Sequence, residues 1–220
     1  MKSVICLAAL VCWGLIACAG PESTNEVPHR IHGRALPPST ALRTQTAPRL
    51  PTSPAKVEAA SIYDLDVALR DETGTTRPLD TFRGHPVLIT MFYGTCPVAC
   101  PILTSQLKRL EGRIPEPLRA DVRILMVSFD AARDAPAALS GIKEQRGLDA
   151  TRWKLASASD DDARQLAGVL NIKYRKLDDG AFFHSTAIVL LDRQGRPQAR
   201  LDGVDKDSSA IMTALTVPSI

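Results

Sequence analysis

Residues 86–101 read Pro86-Val87-Leu88-Ile89-Thr90-Met91-Phe92-Tyr93-Gly94-Thr95-Cys96-Pro97-Val98-Ala99-Cys100-Pro101. The first seven residues are mostly apolar and rich in β-formers, which is typical of a buried strand. From Ile102 to Glu111 the apolar side chains recur at helical spacing, and Gly112 marks a helix end. The two cysteines therefore stand where a strand passes into a helix. We expect both sulfurs on one side of a first helical turn, whose amides favour thiolates.

The first eighteen residues have the pattern of an export signal. Lys2 gives a positive start, and residues 4–16 are nearly all apolar. That run is short for a membrane-spanning helix, which needs about 20 residues. It ends in Leu15-Ile16-Ala17-Cys18, which resembles a bacterial lipobox, so residues 1–18 are predicted to be a signal peptide and Cys18 to carry lipid. Plain secretion with cleavage one or two residues later, or an uncleaved anchor, are the alternatives. We expect an exported protein, membrane-anchored in the bacterial periplasm.

Residues 19–55 contain seven prolines among Ser, Thr, Arg and Ala. Such a composition does not build a packed core and predicts an extended, disordered tether, in which His29 and His32 are solvated. Residues 56–220 are long enough for one domain with its own core. The net charge of +3 is nearly balanced, and no basic stripe is interleaved with aromatic residues. Nucleic acid is therefore not an expected partner.

The rest of the chain alternates strand and helix patterns. We expect strands at 63–70, 75–79, 86–92, 122–129, 153–157, 172–175, 181–183, 186–191 and 197–201, and helices at 102–111, 136–146, 160–170 and 206–215. This order predicts an α/β domain with a mostly parallel central sheet, an added N-terminal hairpin and a protruding hairpin turning at Asp178-Asp179-Gly180. A reactive cysteine pair after the first central strand makes the predicted fold thioredoxin-like.

Cysteine usage favours chemistry over structural bridging. Cys6 and Cys12 leave with the signal, so only Cys96 and Cys100 remain in the folded part besides the lipid-bearing Cys18. Two cysteines are too few for a disulfide scaffold, and a disulfide between them would close too small a loop to add much stability. Inert packed thiols and a simple structural disulfide are the alternatives.

A histidine is predicted to join this pair. Functional groups in α/β sheets gather beyond the carboxyl ends of the parallel strands, and His184 precedes the predicted strand that passes beside the cysteine loop in thioredoxin-like folds. His85, in contrast, stands at the amino end of its strand, roughly 23 Å away along seven residues. Two thiolates and an imidazole suit copper, either Cu(I) or Cu(II). Zinc accepts the same atoms but normally takes four protein ligands in structural sites.

Four segments resemble the Sco (SenC) family of thioredoxin-like copper chaperones for cytochrome c oxidase assembly. They are the motif 92–101, the loop 127–136, the histidine segment 183–186 and the strand and turn 190–195. The resemblance implies that Cys96, Cys100 and His184 are the copper ligands. It also implies that the partner is an oxidase subunit with a dinuclear copper site, or other periplasmic copper carriers or thioredoxin-like reductants, and that the chain is not an enzyme.

The loop 127–136 also carries two acidic residues that match family positions near the site. They are Asp130 and Asp134, for which a strand-end polar residue and a helix cap are the alternative roles. The sequence departs from the family at Ala131, Ala135 and Phe183, where proline, threonine and aspartate are common. These departures bear on affinity or redox potential more than on metal binding. Met91, a soft donor, is expected to be a buried strand residue, and Trp153 and Phe182 to pack or to contact a partner.

The main alternative function is a thiol–disulfide oxidoreductase that cycles a redox-active disulfide between Cys96 and Cys100. It would keep the copper-site cysteines of the oxidase reduced. Oxidoreductases of this fold place two residues between their cysteines, whereas this chain has three, and they usually place a proline where His184-Ser185-Thr186 stands. A peroxidase of related fold would need a threonine and an arginine beside the attacking thiol, and the sequence gives no second element for it.

Overall fold

The computed structural model describes residues 60–204 and 206–216, and all of them belong to the unit Ser53–Ile220. The predicted signal peptide, the predicted lipidation site Cys18 and the predicted tether at 19–55 lie outside the described residues. So do His29 and His32. Among the helices that are described, none is both long and apolar enough to cross a membrane.

Nine strands and five α-helices make up the described chain. The strands are β1 (Ala68–Asp71), β2 (Thr76–Pro78), β3 (Val87–Phe92), β4 (Arg123–Ser128), β5 (Trp153–Ala158), β6 (Tyr174–Lys176), β7 (Phe182–His184), β8 (Ala187–Leu191) and β9 (Pro197–Asp202). The helices are α1 (Ala99–Arg113), α2 (Leu118–Asp121), α3 (Pro136–Gln145), α4 (Asp160–Val169) and α5 (Ser209–Thr216), with short 3-10 turns at Ile62–Asp64 and Leu79–Phe82.

Seven of these strands form one sheet in the order β2-β1-β5-β4-β3-β8-β9. The three central strands β5, β4 and β3 run parallel, and antiparallel hairpins extend the sheet on both sides. Strand β3 is buried along its whole length, as expected for an apolar strand covered on both faces. The predicted α/β, thioredoxin-like architecture with a parallel centre and an added N-terminal hairpin is therefore confirmed.

The added hairpin is shorter than the sequence pattern predicts. The expected strand from Tyr63 begins only at Ala68, because the preceding residues form a 3-10 turn capped by the hydroxyl of Ser61. The turn between β1 and β2 is built by Asp71, whose Oδ1 accepts hydrogen bonds from the N–H groups of Thr73 at 3.0 Å and Thr75 at 2.9 Å. Helix α2 is short and was not expected from the sequence.

The antiparallel pairing of β3 with β8 sets the position of the functional end of the sheet. Because the two strands run in opposite directions, the carboxyl end of β3 meets the amino end of β8. The Thr90 hydroxyl donates a 2.6 Å hydrogen bond to the carbonyl of Ala187 at this end. The loop that follows β3 and the segment that precedes β8 are thereby placed side by side.

The predicted protruding hairpin is formed by β6 and β7, which pair only with each other. Its turn contains Gly180 at a φ of 81°, a conformation that glycine adopts without steric cost. Tyr174 pairs with His184 and Lys176 with Phe182 on one face, whereas Phe183 lies on the other and is 65% exposed. The alternation of strand side chains thus directs His184 toward the body of the domain.

Candidate metal centre

The structure brings three potential metal ligands together at the carboxyl end of β3. One ligand atom each from Cys96, Cys100 and His184 lie within 4.8 Å of one another. A metal with bonds of about 2.0–2.3 Å to nitrogen and sulfur separates its ligands by roughly 4 Å. The described residues contain no other group of three or more His, Cys, Asp or Glu side chains that could hold a metal ion.

The two cysteines occupy different local structures. Cys100 lies in the first turn of α1, whereas Cys96 lies in the loop before the helix, so the expectation that both stand on one helical turn is wrong. The Cys96 N–H donates to the carbonyl of Tyr93 at 3.2 Å, which tightens the loop into a turn. The Cys100 N–H then donates to the Cys96 sulfur at 3.3 Å. The N-terminus of α1 still stabilises a thiolate, because one of its free amides donates to the Cys96 sulfur.

The two thiols have unequal acidities. Both are free and buried, with Cys96 7% exposed and Cys100 fully enclosed. Burial alone would raise the pKa of Cys96, but hydrogen bonds from Cys100, Val98 and the Tyr93 hydroxyl outweigh it and hold this pKa below its ordinary value. Burial raises the pKa of Cys100 to about 12. Cys96 is therefore the sulfur that first becomes a thiolate, the form that binds metals and attacks disulfides.

The hydrogen bond of His184 leaves one ring nitrogen free to bind a metal. Its Nδ1 lies 3.2 Å from the carbonyl oxygen of Ser185. A carbonyl can only accept, so Nδ1 carries the hydrogen and Nε2 keeps the lone pair that can bind a metal. Burial lowers the pKa of His184, with an opposing contribution from the bond to Ser185. The neutral imidazole is therefore favoured.

An aromatic cluster surrounds this histidine. The His184 ring stands edge-on to Tyr93 at 5.7 Å and to Phe129 at 5.4 Å between centroids. Phe129 in turn stacks on Tyr174 at 4.6 Å and packs against Phe182 at 5.0 Å. Edge-to-face and stacked pairs of this kind are favourable beyond their buried area. The cluster ties the β6–β7 hairpin to the end of β3 and thereby fixes the position of the ligand.

The two acidic residues do not belong to the three-ligand group, and each supports a segment that carries a ligand. Asp134 accepts a 2.7 Å hydrogen bond from the N–H of Gly94, two residues before Cys96, and another from the Ser128 hydroxyl. It does not cap α3, whose N-cap residue Ala135 makes no side-chain bond. The helix-cap alternative for Asp134 is therefore wrong.

Asp130 supports the hairpin instead of the cysteine loop. Its carboxylate pairs with Arg133, and the Arg133 guanidinium also donates to the carbonyl of Gly180 in the hairpin turn. The same guanidinium lies 5.7 Å from the ring centroid of Phe182. Asp130 thus reaches the histidine side of the site through Arg133. The bond from Arg133 to Gly180 joins residues 47 positions apart, and no local sequence pattern predicts it.

The other residues considered from the sequence lie away from the three ligands. His85 contacts the carboxylate of Asp121 at 2.6 Å, at the amino end of β3. Met91 is fully buried in the core. Trp153 is also buried and donates its indole N–H to Glu111 at 2.9 Å, so it is a packing residue.

The donor set is chemically suited to a soft, monovalent or divalent ion of the copper type. Two sulfurs and one imidazole nitrogen are the ligands that Cu(I) and Cu(II) both accept. Because the described residues offer three ligands and no fourth, the arrangement differs from a closed structural zinc site. A site with an open position lets an incoming ligand bind before the old ones leave, which is the requirement for metal transfer.

Comparison with known families agrees with this geometry. The family model described as SCO1/SenC matches residues 57–217. The chain belongs to the SCO1/SenC family. The match covers the whole described domain, including all three ligands and both supporting aspartates.

Solved structures of this family share the fold. Arabidopsis thaliana ScoI, solved with copper bound, is 19% identical, with a TM-score of 0.58 over 67% of this chain and 92% of its own. BsSco, from a structure reporting a disulfide switch in a member of the Sco family of cytochrome c oxidase assembly proteins, is 21% identical, with a TM-score of 0.58 over 71% of this chain and 95% of its own.

A curated relative is similar over a shorter stretch. A protein from Stutzerimonas stutzeri, named as copper-binding, is 28% identical over 71 residues. That stretch is 32% of this chain and only 35% of the relative. The chain therefore spans about a third of the curated relative that it matches.

Proposed function

We propose that this protein is a copper chaperone that binds one copper ion through Cys96, Cys100 and His184 and delivers it to a membrane respiratory oxidase with a dinuclear copper site. The observation that carries the proposal is the convergence of two thiols and an imidazole within 4.8 Å at one end of the sheet. Family membership supports it, as does the bound copper in the Arabidopsis relative.

The geometry favours cargo binding over permanent metal retention. The site offers only three protein ligands among the described residues, while the acidified Cys96 thiol and the His184 nitrogen left free by the bond to Ser185 prepare it to bind an ion. The ligands also come from two separate segments, the cysteine loop and the β6–β7 hairpin. Withdrawal of the histidine would leave a two-sulfur complex that a recipient can attack.

The rest of the proposal concerns location and partner. In this reading residues 1–18 direct export, lipid on Cys18 anchors the chain in the periplasm, and residues 19–55 let the domain reach a recipient at the membrane. Thioredoxin-like reductants would keep Cys96 and Cys100 reduced for loading.

Radiolabelled fatty-acid incorporation tests the anchor. Label should enter the wild-type chain and not the Cys18→Ser variant, and incorporation that persists in the variant would contradict the anchor.

Metal analysis of the purified chain under reducing conditions tests the copper site. We expect about one copper per chain, with affinity reduced by roughly 100-fold or more in Cys96→Ser, Cys100→Ser and His184→Gln, because loss of a ligand costs more than the roughly 10–100-fold lost with a residue that only orients one. His85→Gln is the matched control, because that histidine lies at the opposite end of β3. Full copper affinity in His184→Gln would contradict the chaperone proposal. Delivery is measured as copper transfer to an isolated, metal-free dinuclear copper domain.

The unequal thiols favour one second candidate, a thiol–disulfide oxidoreductase. An acidified Cys96 beside a buried Cys100 whose pKa is about 12 is the arrangement of an attacking and a resolving thiol. This candidate predicts that Cys96 is alkylated much faster than Cys100 and that the chain reduces a model disulfide without copper. Exchange that is unaffected by His184→Gln, together with weak copper binding, would favour it over the chaperone.

A further inference from the structure

A half-buried arginine lies beside the cysteine pair and takes no part in the mechanism described above. Arg146 follows the last residue of α3, and its Nη1 donates a 2.6 Å hydrogen bond to the Thr104 hydroxyl on α1. The Thr104 hydroxyl in turn donates to the carbonyl of Cys100 at 2.8 Å. The backbone is held as well, because Lys108 donates to the Arg146 carbonyl at 2.9 Å. The guanidinium is thus fixed against the helical turn that contains Cys100.

This guanidinium has no carboxylate partner among residues 60–204 and 206–216. Two other arginines of the domain do have one: partly buried Arg152 pairs with Glu111 at 2.7 Å, and exposed Arg133 pairs with Asp130. Burial lowers the pKa of Arg146, and the charges that oppose this effect are those of the Cys100 and Cys96 sulfurs. Burial of an uncompensated charge is costly, and a guanidinium stays protonated in proteins. A negative charge on the sulfurs would compensate it.

The charge of a loaded site depends on the copper oxidation state. Two thiolates, a neutral imidazole and Cu(I) sum to one negative charge, whereas the same ligands with Cu(II) are neutral. We propose that Arg146 is the counter-charge of the metal centre and biases it toward Cu(I). This inference rests on the proposed copper-binding function. It assigns Arg146 as a positioning and charge-balancing residue that does not itself bind the ion.

Thr104 helps to position this positive charge. Its hydroxyl accepts from Arg146 and donates to the backbone of the helical turn that presents Cys100. This hydroxyl and the bond from Lys108 to the Arg146 carbonyl together set the position of the charge relative to the sulfurs. Loss of this hydroxyl would free the guanidinium to turn toward solvent, where water screens its charge.

Affinity measurements on the purified chain separate charge from structure. Cu(I) affinity is measured by competition with a chromophoric chelator, and Cu(II) affinity by competition with a Cu(II) chelator without oxygen, with the free thiols counted before and after. Arg146→Gln keeps a donor for Thr104 but removes the charge, and Arg146→Lys keeps the charge. Arg164→Gln is the control, because Arg164 is an exposed residue paired with Asp161 on α4.

We expect Arg146→Gln to weaken Cu(I) binding by about tenfold, the scale of one nearby charge at a partly exposed site, with little change for Cu(II). This selective loss equals a fall of about 59 mV in the one-electron potential of the bound copper. Arg146→Lys should keep most of the Cu(I) affinity. Thr104→Val should give a smaller loss with the same selectivity, which provides a second test if Arg146→Gln folds poorly.

Three outcomes overturn the inference. They are equal weakening of Cu(I) and Cu(II), which indicates a structural role only; unchanged Cu(I) affinity in Arg146→Gln; and a loss in Arg146→Lys as large as in Arg146→Gln. In each case the wild-type chain still binds copper and the proposed function stands. Failure of the wild-type chain to bind either ion would instead remove both proposals, so the two failures are distinguishable.

Discussion

The carboxylate of Asp134 accepts a 2.7 Å hydrogen bond from the backbone N–H of Gly94, across 40 positions of sequence. This bond holds the loop between β3 and α1 against the segment that follows β4. The contact is close, since a Cβ at Gly94 would overlap Asp134 Oδ1 and stand 2.9 Å from the side chain of Ile142. A glycine is therefore required here by space, and the cysteine loop depends on a backbone contact with a buried acid.

Gly94→Ala should destabilise the domain and disturb the metal centre. The added methyl group must displace Asp134 or Ile142, and overpacking of this kind costs about 1–3 kcal/mol. Denaturant unfolding measures the loss, and copper titration measures the disturbance two residues before Cys96. Gly141→Ala in α3 is the matched control, because an added Cβ there meets nothing within 4 Å and a helical Ala gains about 0.5–1 kcal/mol over Gly. Equal effects of the two changes would refute this account of the loop.

Asp134→Ala should destabilise the chain through unpaired donors. The change leaves the partly buried N–H of Gly94 and the buried hydroxyl of Ser128 without their acceptor. Each unsatisfied group costs about 1–3 kcal/mol. The free energy of unfolding should fall accordingly, and copper should dissociate faster because the Cys96 loop loses its anchor. Exposed Asp179, whose carboxylate caps the N–H of Ala181 at 2.9 Å, offers a comparison: Asp179→Ala should cost clearly less.

The sequence predicted those features that depend on local patterns. Strand β3 is an apolar run, the β6–β7 turn follows from Asp179-Gly180, and α4 begins with three acidic residues that suit the helix dipole. The pairing of the cysteines with His184 could be expected because the fold places the end of β3 beside the start of β8. Each of these features follows either from a few neighbouring residues or from the strand order of the fold.

The remaining features depend on contacts between distant residues. Three contacts join segments at least 40 residues apart: the bond from the Gly94 N–H to Asp134, the packing of Phe129 on His184, and the bonds that place Arg146 near Cys100. No local periodicity specifies them. The place of Cys96 before the helix was mispredicted for a related reason, because a turn closed by the Tyr93 carbonyl competes with helix formation there. The sequence indicates only that Tyr93 stands directly after the apolar strand, where a loop begins.

Phe129→Ala should loosen the histidine side of the site as well as the core. Phe129 is 2% exposed and contacts the rings of Tyr174, Phe182 and His184. Truncation of a buried Phe typically costs about 3–5 kcal/mol. We expect a loss of that size in denaturant unfolding, together with weaker copper binding, since the hairpin that carries His184 loses its contacts with the Phe129 ring.

Phe183→Ala is the matched control for this change. Phe183 is the next aromatic residue beside the ligand but is 65% exposed on the opposite face of β7. Its truncation should change the free energy of unfolding by no more than about 0.5 kcal/mol. A large loss from Phe183→Ala, or intact copper affinity in a folded Phe129→Ala protein, would show that the hairpin is held in another way.

The free energy of unfolding should depend on pH in part through the protonation of Asp134. Burial raises the pKa of this carboxyl above its ordinary value, and nearby Asp130 adds to the effect, while the bonds from Ser128 and Gly94 and the charge of Arg133 oppose it. The folded state therefore holds this proton more tightly than the unfolded state. Its contribution to stability is complete below the unfolded pKa of about 3.9 and is lost as the pH rises through the folded pKa, by at most about 1.4 kcal/mol per pH unit.

Asp134→Asn removes this titration while keeping an oxygen that can accept from Gly94 and Ser128. The stability of the variant relative to wild type should therefore improve as the pH rises above about 4 and level off beyond the folded pKa. Unfolding of both metal-free proteins between about pH 3.5 and 8 measures the difference. Because other carboxyl groups, including those of Asp71 and Asp121, have lowered pKa values and titrate in both proteins, only the difference between the two curves isolates Asp134. A difference that is constant with pH, or that moves in the opposite direction, would mean that the buried carboxyl is ionised as readily in the folded chain as in the unfolded one.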